Sequence, residues 1–102
     1  MIAVKKFAMM LMNPLFQPEQ HNALFQTGDI ENHIFTVRDE KEALAKVSSL
    51  IQNGFGVLEV CGAFSPDLVQ TMRKAAGSRL CIGAVAYRPE DESALEQYWS
   101  EE

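Results

Sequence analysis

Cysteine occurs only twice in the 102 residues, at Cys61 and Cys81, with no CxxC spacing and no histidine nearby. That excludes a disulfide framework and a zinc site, and it fits free thiols in a reducing compartment. Basic residues are scarce as well: nine Lys and Arg against fourteen Asp and Glu leave a formal net charge of −5. Adjacent basic pairs are confined to Lys5–Lys6 and Arg73–Lys74, so the chain lacks the footprint that displaces phosphate counterions. Nucleic acid is therefore not expected as a partner, and the acidic balance disfavours anionic membranes. The apolar run near the N-terminus, Phe7–Met12, is six residues long. Asn13-Pro14 closes it with no A-x-A cleavage pattern behind, which reads as a first strand rather than a secretory signal. A cytoplasmic protein is expected. GxGxxG, P-loop, HExxH and GxSxG motifs are all missing, which removes the standard nucleotide, zinc and hydrolase readings. No metal is expected, and the residues imply no cofactor.

What is present is ordinary for a folded chain: 47% apolar and 23% charged residues, at a length that suits one domain with a modest core. Val4–Met12 is apolar and ends at a proline that removes a donor and forces an extended neighbour. Pro18-Glu19-Gln20 carries helix-start signals, and Gly28 suits its stop, so a short helix is expected between them. Ile30–Val37 reads as a strand. Asp39 with Glu42 three residues on resembles a capping box, and Ala43, Leu44, Val47, Leu50 and Ile51 form one helical face that stops at Gly54. Gly56–Cys61 is the next strand. Ser65-Pro66-Asp67 then supplies N-cap, N1 proline and first-turn acid for a helix ending at Gly77. Leu80–Tyr87 is the last strand, and a helix from about Asp91 carries Leu95, Tyr98 and Trp99 as its apolar stripe.

Strands starting near residues 4, 30, 56 and 80 predict four βα units and a mostly parallel four-stranded α/β sheet. Two arrangements satisfy this pattern. An open doubly wound sheet with helices on both faces is preferred, because it is a common solution for a lone domain. The alternative resembles half of a (βα)₈ barrel, with helices on one side and the bare face hidden in a dimer. A homodimer is expected either way.

Three stretches, Pro18–His21, Thr27–Val37 (TGDIENHIFTV) and Leu58–Phe64 (LEVCGAF), together resemble a family of short proteins catalogued as a domain of unknown function. The resemblance spans nearly the whole chain and implies that Thr27, Gly28, His33, Glu59, Cys61, Gly62 and Phe64 are its recurring positions. It implies no activity.

Parallel sheets bind ligands beyond the carboxyl ends of their strands, where loops and helix N-termini converge. That rule nominates Asn13, Arg38, Cys61, Gly62, Phe64, Ser65 and the Tyr87-Arg88 pair. A positive helix end lowers a thiol pKa and makes Cys61 a candidate nucleophile, although a small core thiol is the commoner role for such a residue. Glu59 interrupts an apolar strand and shares a face with Cys61 by period two, so it is a candidate acid or base. The blander reading is a sheet face that is wet or lies at a subunit interface. His33 completes an acid–base set only where it shares that face, and a packed strand histidine is the commoner case. Asn13, Gly62, Phe64, Ser65 and Arg88 are candidate ligand contacts. Ser65 equally reads as a plain helix cap, and Arg88 as a solvated loop charge. Met9, Met10 and Met12 read as core filling rather than Cu(I) ligands. The expectation is a small-molecule-binding or enzymatic domain with its site at the strand ends; the alternative is a homo-oligomeric interaction module without catalysis.

Overall fold

The computed structural model describes residues 4–100. Its strands are β1 (Lys5–Met12), β2 (Ala23–Thr27), β3 (Ile30–Val37), β4 (Val57–Val60) and β5 (Cys81–Ala84). Its helices are α1 (Glu40–Gln52), α2 (Pro66–Ala76) and α3 (Glu92–Ser100), the last preceded by a 3₁₀ turn at Pro89–Asp91. The five strands form one sheet in the order β2-β3-β1-β4-β5. β3, β1, β4 and β5 run parallel and β2 runs against them. The four expected strands and their common direction are present, but the sheet is mixed and has a fifth strand.

That fifth strand corrects the helix expected after Pro18. The helix-start signals act for a single turn: Gln20 N–H and His21 N–H both donate to the Gln17 carbonyl, at 2.9 and 2.8 Å. The imidazole of His21 then accepts from Gln17 N–H through Nδ1 at 2.8 Å. Residues 23–27 leave this turn as an edge strand. Gly28-Asp29 closes a two-residue hairpin with Thr27 opposite Ile30. Gly28 has φ of +63° while no other residue type takes a positive φ, the pattern of a type II′ turn. A Gly-Asp pair between two apolar segments is a recognised hairpin signal; here the glycine ends a hairpin rather than a helix.

The other start and stop signals act as expected. Asp39 Oδ1 accepts from Glu42 N–H at 2.9 Å, and Gly54 follows α1 with φ of +83°. The reciprocal bond of a capping box is displaced by one residue, since Glu42 Oε1 accepts from Arg38 N–H at 2.8 Å rather than from Asp39. Ser65 Oγ accepts from Leu68 N–H at 3.1 Å, Pro66 opens α2, and Gly77 closes it with φ of +61°.

The core lies on one face of the sheet only. Ala8 and Met10 of β1, Leu58 and Val60 of β4 and Ile82 of β5 are buried against Ala43, Val47 and Leu50 of α1 and Leu68, Val69, Met72 and Ala76 of α2. α1 and α2 therefore share a face and pack on each other. Their alternates Val57, Glu59 and Val85 are exposed, and no residue of α3 is buried. This corrects the preference for helices on both faces; the one-sided alternative describes the helix placement better. The strands look buried on both faces because their second face is apolar, not because a helix covers it.

Candidate functional site

β1 and β4 are neighbours, and both end where the chain leaves the sheet at a residue pair unsuited to further pairing: Asn13-Pro14 and Cys61-Gly62. Asn13 N–H still donates to the Val37 carbonyl (3.1 Å) and Cys61 N–H to the Met10 carbonyl (3.1 Å), so both residues are held at the rim by the last rungs of the ladder. Asn13 Oδ1 accepts from Leu15 N–H at 2.9 Å, an Asx turn that bends the chain away and brings Phe16 back over the strand end. After β5 the backbone passes through Tyr87 and the 3₁₀ turn into α3. Arg88 and Asp91 fix that turn, with Arg88 Nε 2.8 Å from Asp91 Oδ2 and Nη2 3.1 Å from Oδ1. α3 then returns across the rim.

Together these segments enclose a cavity of about 530 Å³ at the carboxyl end of the sheet. Leu11, Met12, Phe16, Tyr87, Leu95 and Trp99 supply most of its wall, and Asn13, Cys61, Gly62 and Ala63 the rest. The volume falls in the range of small-molecule sites. Polar groups are few. The side-chain amide nitrogen of Asn13 and the backbone N–H groups of Gly62 and Ala63 have no acceptor among the described residues. Tyr87 leans over Gly62: a Cβ at that glycine would lie 3.5 Å from Tyr87 Cε2. No charged side chain is among the lining residues.

The nominated residues separate into those this rim collects and those it leaves elsewhere. Asn13, Cys61, Gly62 and Tyr87 line one cavity. Phe64 is buried in the core, Ser65 is occupied as the α2 cap, and Arg88 is engaged by Asp91. Arg38 donates to Glu42 through Nε at 2.8 Å. The hydrogen bond and the guanidinium charge hold the Glu42 carboxyl below its ordinary value, and the same pair raises Arg38. Arg38 is exposed and Glu42 half-buried at the start of α1, so the pair is open to solvent on one side and contributes little.

Glu59, Cys61 and His33 do not converge. The register sets Ala8 beside both His33 and Leu58, and Met9 beside both Ile34 and Glu59. His33 thus points to the helix side and Glu59 to the open side, while Cys61, one residue past β4, packs against the core. On the helix side His33 Nε2 is 2.9 Å from Glu31 Oε1, and its ring stacks on Phe35 and meets Phe55 edge-on, with centroids 5.2 and 4.9 Å away. Lys46 Nζ lies 3.9 Å from the Phe35 centroid, and burial lowers its pKa from the ordinary value. These contacts are those of a packed histidine. Glu59 is exposed, borders Gly83 and Val85, and makes no hydrogen bond or ion pair among the described residues. No Asp, Glu or His lines the cavity beside Cys61.

Leu11, Met12, Phe16, Leu95 and Trp99 line the cavity although the sequence alone assigns none of them to a site. Trp99 reads along the chain as a docking stripe, and only the return of α3 over the rim carries it to the strand ends.

No curated protein and no solved structure matches the chain. A family model does, over residues 5–100. With nearly its whole length matched, the chain belongs to DUF6506, a family of unknown function.

Proposed function

We propose that the protein is a small-molecule-binding domain whose ligand occupies the rim cavity between the β1 and β4 ends and α3. The observation that carries this reading is the convergence of Asn13, Cys61, Gly62, Tyr87 and Trp99 on one cavity of about 530 Å³. Apolar walls with a few convergent polar groups are the usual make-up of a ligand pocket. The aromatic rings of Phe16, Tyr87 and Trp99 favour a flat, largely apolar ligand. The unpaired donors of Asn13, Gly62 and Ala63 favour one with a carbonyl-type acceptor at one end. Binding is favoured over catalysis, because the cavity sets no carboxylate or imidazole beside Cys61 to activate it. Cys61 and Cys81 are both free, which supports a reducing, cytoplasmic setting. No helix among the described residues is long and apolar enough to cross a membrane.

Trp99 is the single tryptophan of the chain, so its emission reports this cavity alone. Titration with a neutral aromatic amide such as phenylacetamide is expected to shift that emission to the blue and to saturate. A linear, non-saturating response across a panel of such amides would remove the reading.

A further inference from the structure

The open face of the sheet has the surface of a subunit interface. Phe7, Met9 and Leu11 of β1, Ile34 of β3, Val57 of β4 and Val85 just after β5 stand on it, all partly or wholly exposed in the single chain. Phe25 extends it onto β2 at 59% exposure, and no helix crosses it. Asn32 of β3 lies between Phe7 and Phe25, with its amide donating to the Phe25 carbonyl and Thr27 Oγ1. An apolar face of this extent around it is rare on a monomer and marks an interaction site. We infer that a second copy of this chain packs face to face on this sheet, forming a two-fold homodimer.

Size and charge favour a second copy over other occupants. Five strands at about 4.8 Å spacing by the length of the longer strands give roughly 500 Å² of projected area, more with side-chain relief. A standard interface needs about 800 Å² of accessible surface per partner. One helix, about 10 Å wide, covers only half the breadth of the face, whereas an equal sheet packed at about 10 Å covers all of it. The face carries one cation, Lys5, and one carboxylate, Glu59, on adjacent strands and four residues apart in register. A two-fold axis lying across the strands midway between them sets Lys5 of each copy over Glu59 of the other. The otherwise solitary Glu59 then gains a partner, and the face is neutral although the chain carries −5. Leu11 belongs to both the face and the rim cavity, so the second copy also borders that cavity.

Sedimentation of the full chain is expected to give twice the 11.4 kDa chain mass at micromolar concentration. Met9→Lys sets a charge at the centre of the face, directly across from Glu59, which spares the fold a like-charge contact. It is expected to weaken association at least about tenfold, with its circular dichroism unchanged, whereas Ala75→Glu on the outer side of α2 leaves the dimer intact. Should the Met9 variant misfold, Cys81 of the wild type decides, since it stands on this face and is exposed in the single chain. Its alkylation is expected to slow as protein concentration passes through the association midpoint. A wild-type monomer at all accessible concentrations overturns the inference. So does a dimer indifferent to Met9→Lys, or Cys81 reactivity that ignores concentration. The inference stands apart from the cavity reading, which fails on ligand titration and not on mass.

Discussion

Leu58→Ala is expected to lower the unfolding free energy by about 3 kcal/mol, within the range for emptying a fully buried leucine site. Leu58 is 0% exposed at the middle of β4, with Ala8 of β1 and Ile82 of β5 beside it on the same face. α1 and α2 close over that face, so the space left behind is walled by β-sheet below and two helices above. The flanking alanine is too small to fill it. A domain of this size has a total stability of about 5–15 kcal/mol, so the loss is a large fraction. It corresponds to a midpoint lowered by roughly 15 °C, at about 4–8 °C per kcal/mol. Chemical denaturation of the variant beside Leu15→Ala measures it. Leu15 is 86% exposed, and its truncation is expected to stay within about 0.5 kcal/mol. A loss below about 1 kcal/mol for Leu58→Ala would mean that the one-sided core is not closed as described.

Gly62→Leu is expected to abolish ligand binding at the rim while leaving the fold intact. Gly62 has no positive φ to forbid a side chain, and the first carbon added there meets only Tyr87, at an ordinary 3.5 Å. Beyond that carbon the leucine has to occupy the cavity that Gly62 lines. Affinity is expected to fall by more than about tenfold, which is about 1.4 kcal/mol, because the side chain and the ligand compete for one volume. Gly62→Ala separates the two effects. Its methyl sits in contact with Tyr87 and adds nothing further, so it is expected to bind with little change. The Trp99 titration applied to both variants provides the readout. Equal affinity of Gly62→Leu and wild type would place the ligand elsewhere.

Much of this architecture is readable along the chain where a local signal has no competitor. Ser65-Pro66-Asp67 and Gly77 bracket α2 because cap, first-turn proline and positive-φ glycine each satisfy a local backbone need. β2 is hidden because Pro18-Glu19-Gln20 carries true helix-start chemistry that runs for one turn only. Beyond that turn, pairing with β3 sets the conformation of Ala23–Thr27, a contact outside any local window. The sidedness of the sheet is hidden for a different reason. Phe7, Met9 and Leu11 make β1 continuously apolar beyond Lys6, the signature of a strand covered on both faces. A strand whose second face is apolar but uncovered by any helix carries the same signature.

The site divides in the same way. Asn13, Cys61 and Gly62 are legible because parallel strands deliver their carboxyl ends to one rim regardless of strand order. His33 is not, since the face it shares with a residue on another strand depends on register, and one step of register reverses it. Ala8, paired with both His33 and Leu58, assigns it to the helix side. Trp99 reaches the cavity because the 3₁₀ turn at Pro89–Asp91 directs α3 back over the rim, a three-dimensional return that the apolar stripe alone does not announce.

Backbone amide NMR during titration with phenylacetamide tests the rim cavity most directly. Saturable shifts are expected at Asn13, Cys61, Gly62, Ala63 and the Trp99 indole, with the signals around His33 and Lys46 unmoved. Shifts centred on His33 and Lys46 with a silent rim would contradict it, as would a spectrum that does not change at all.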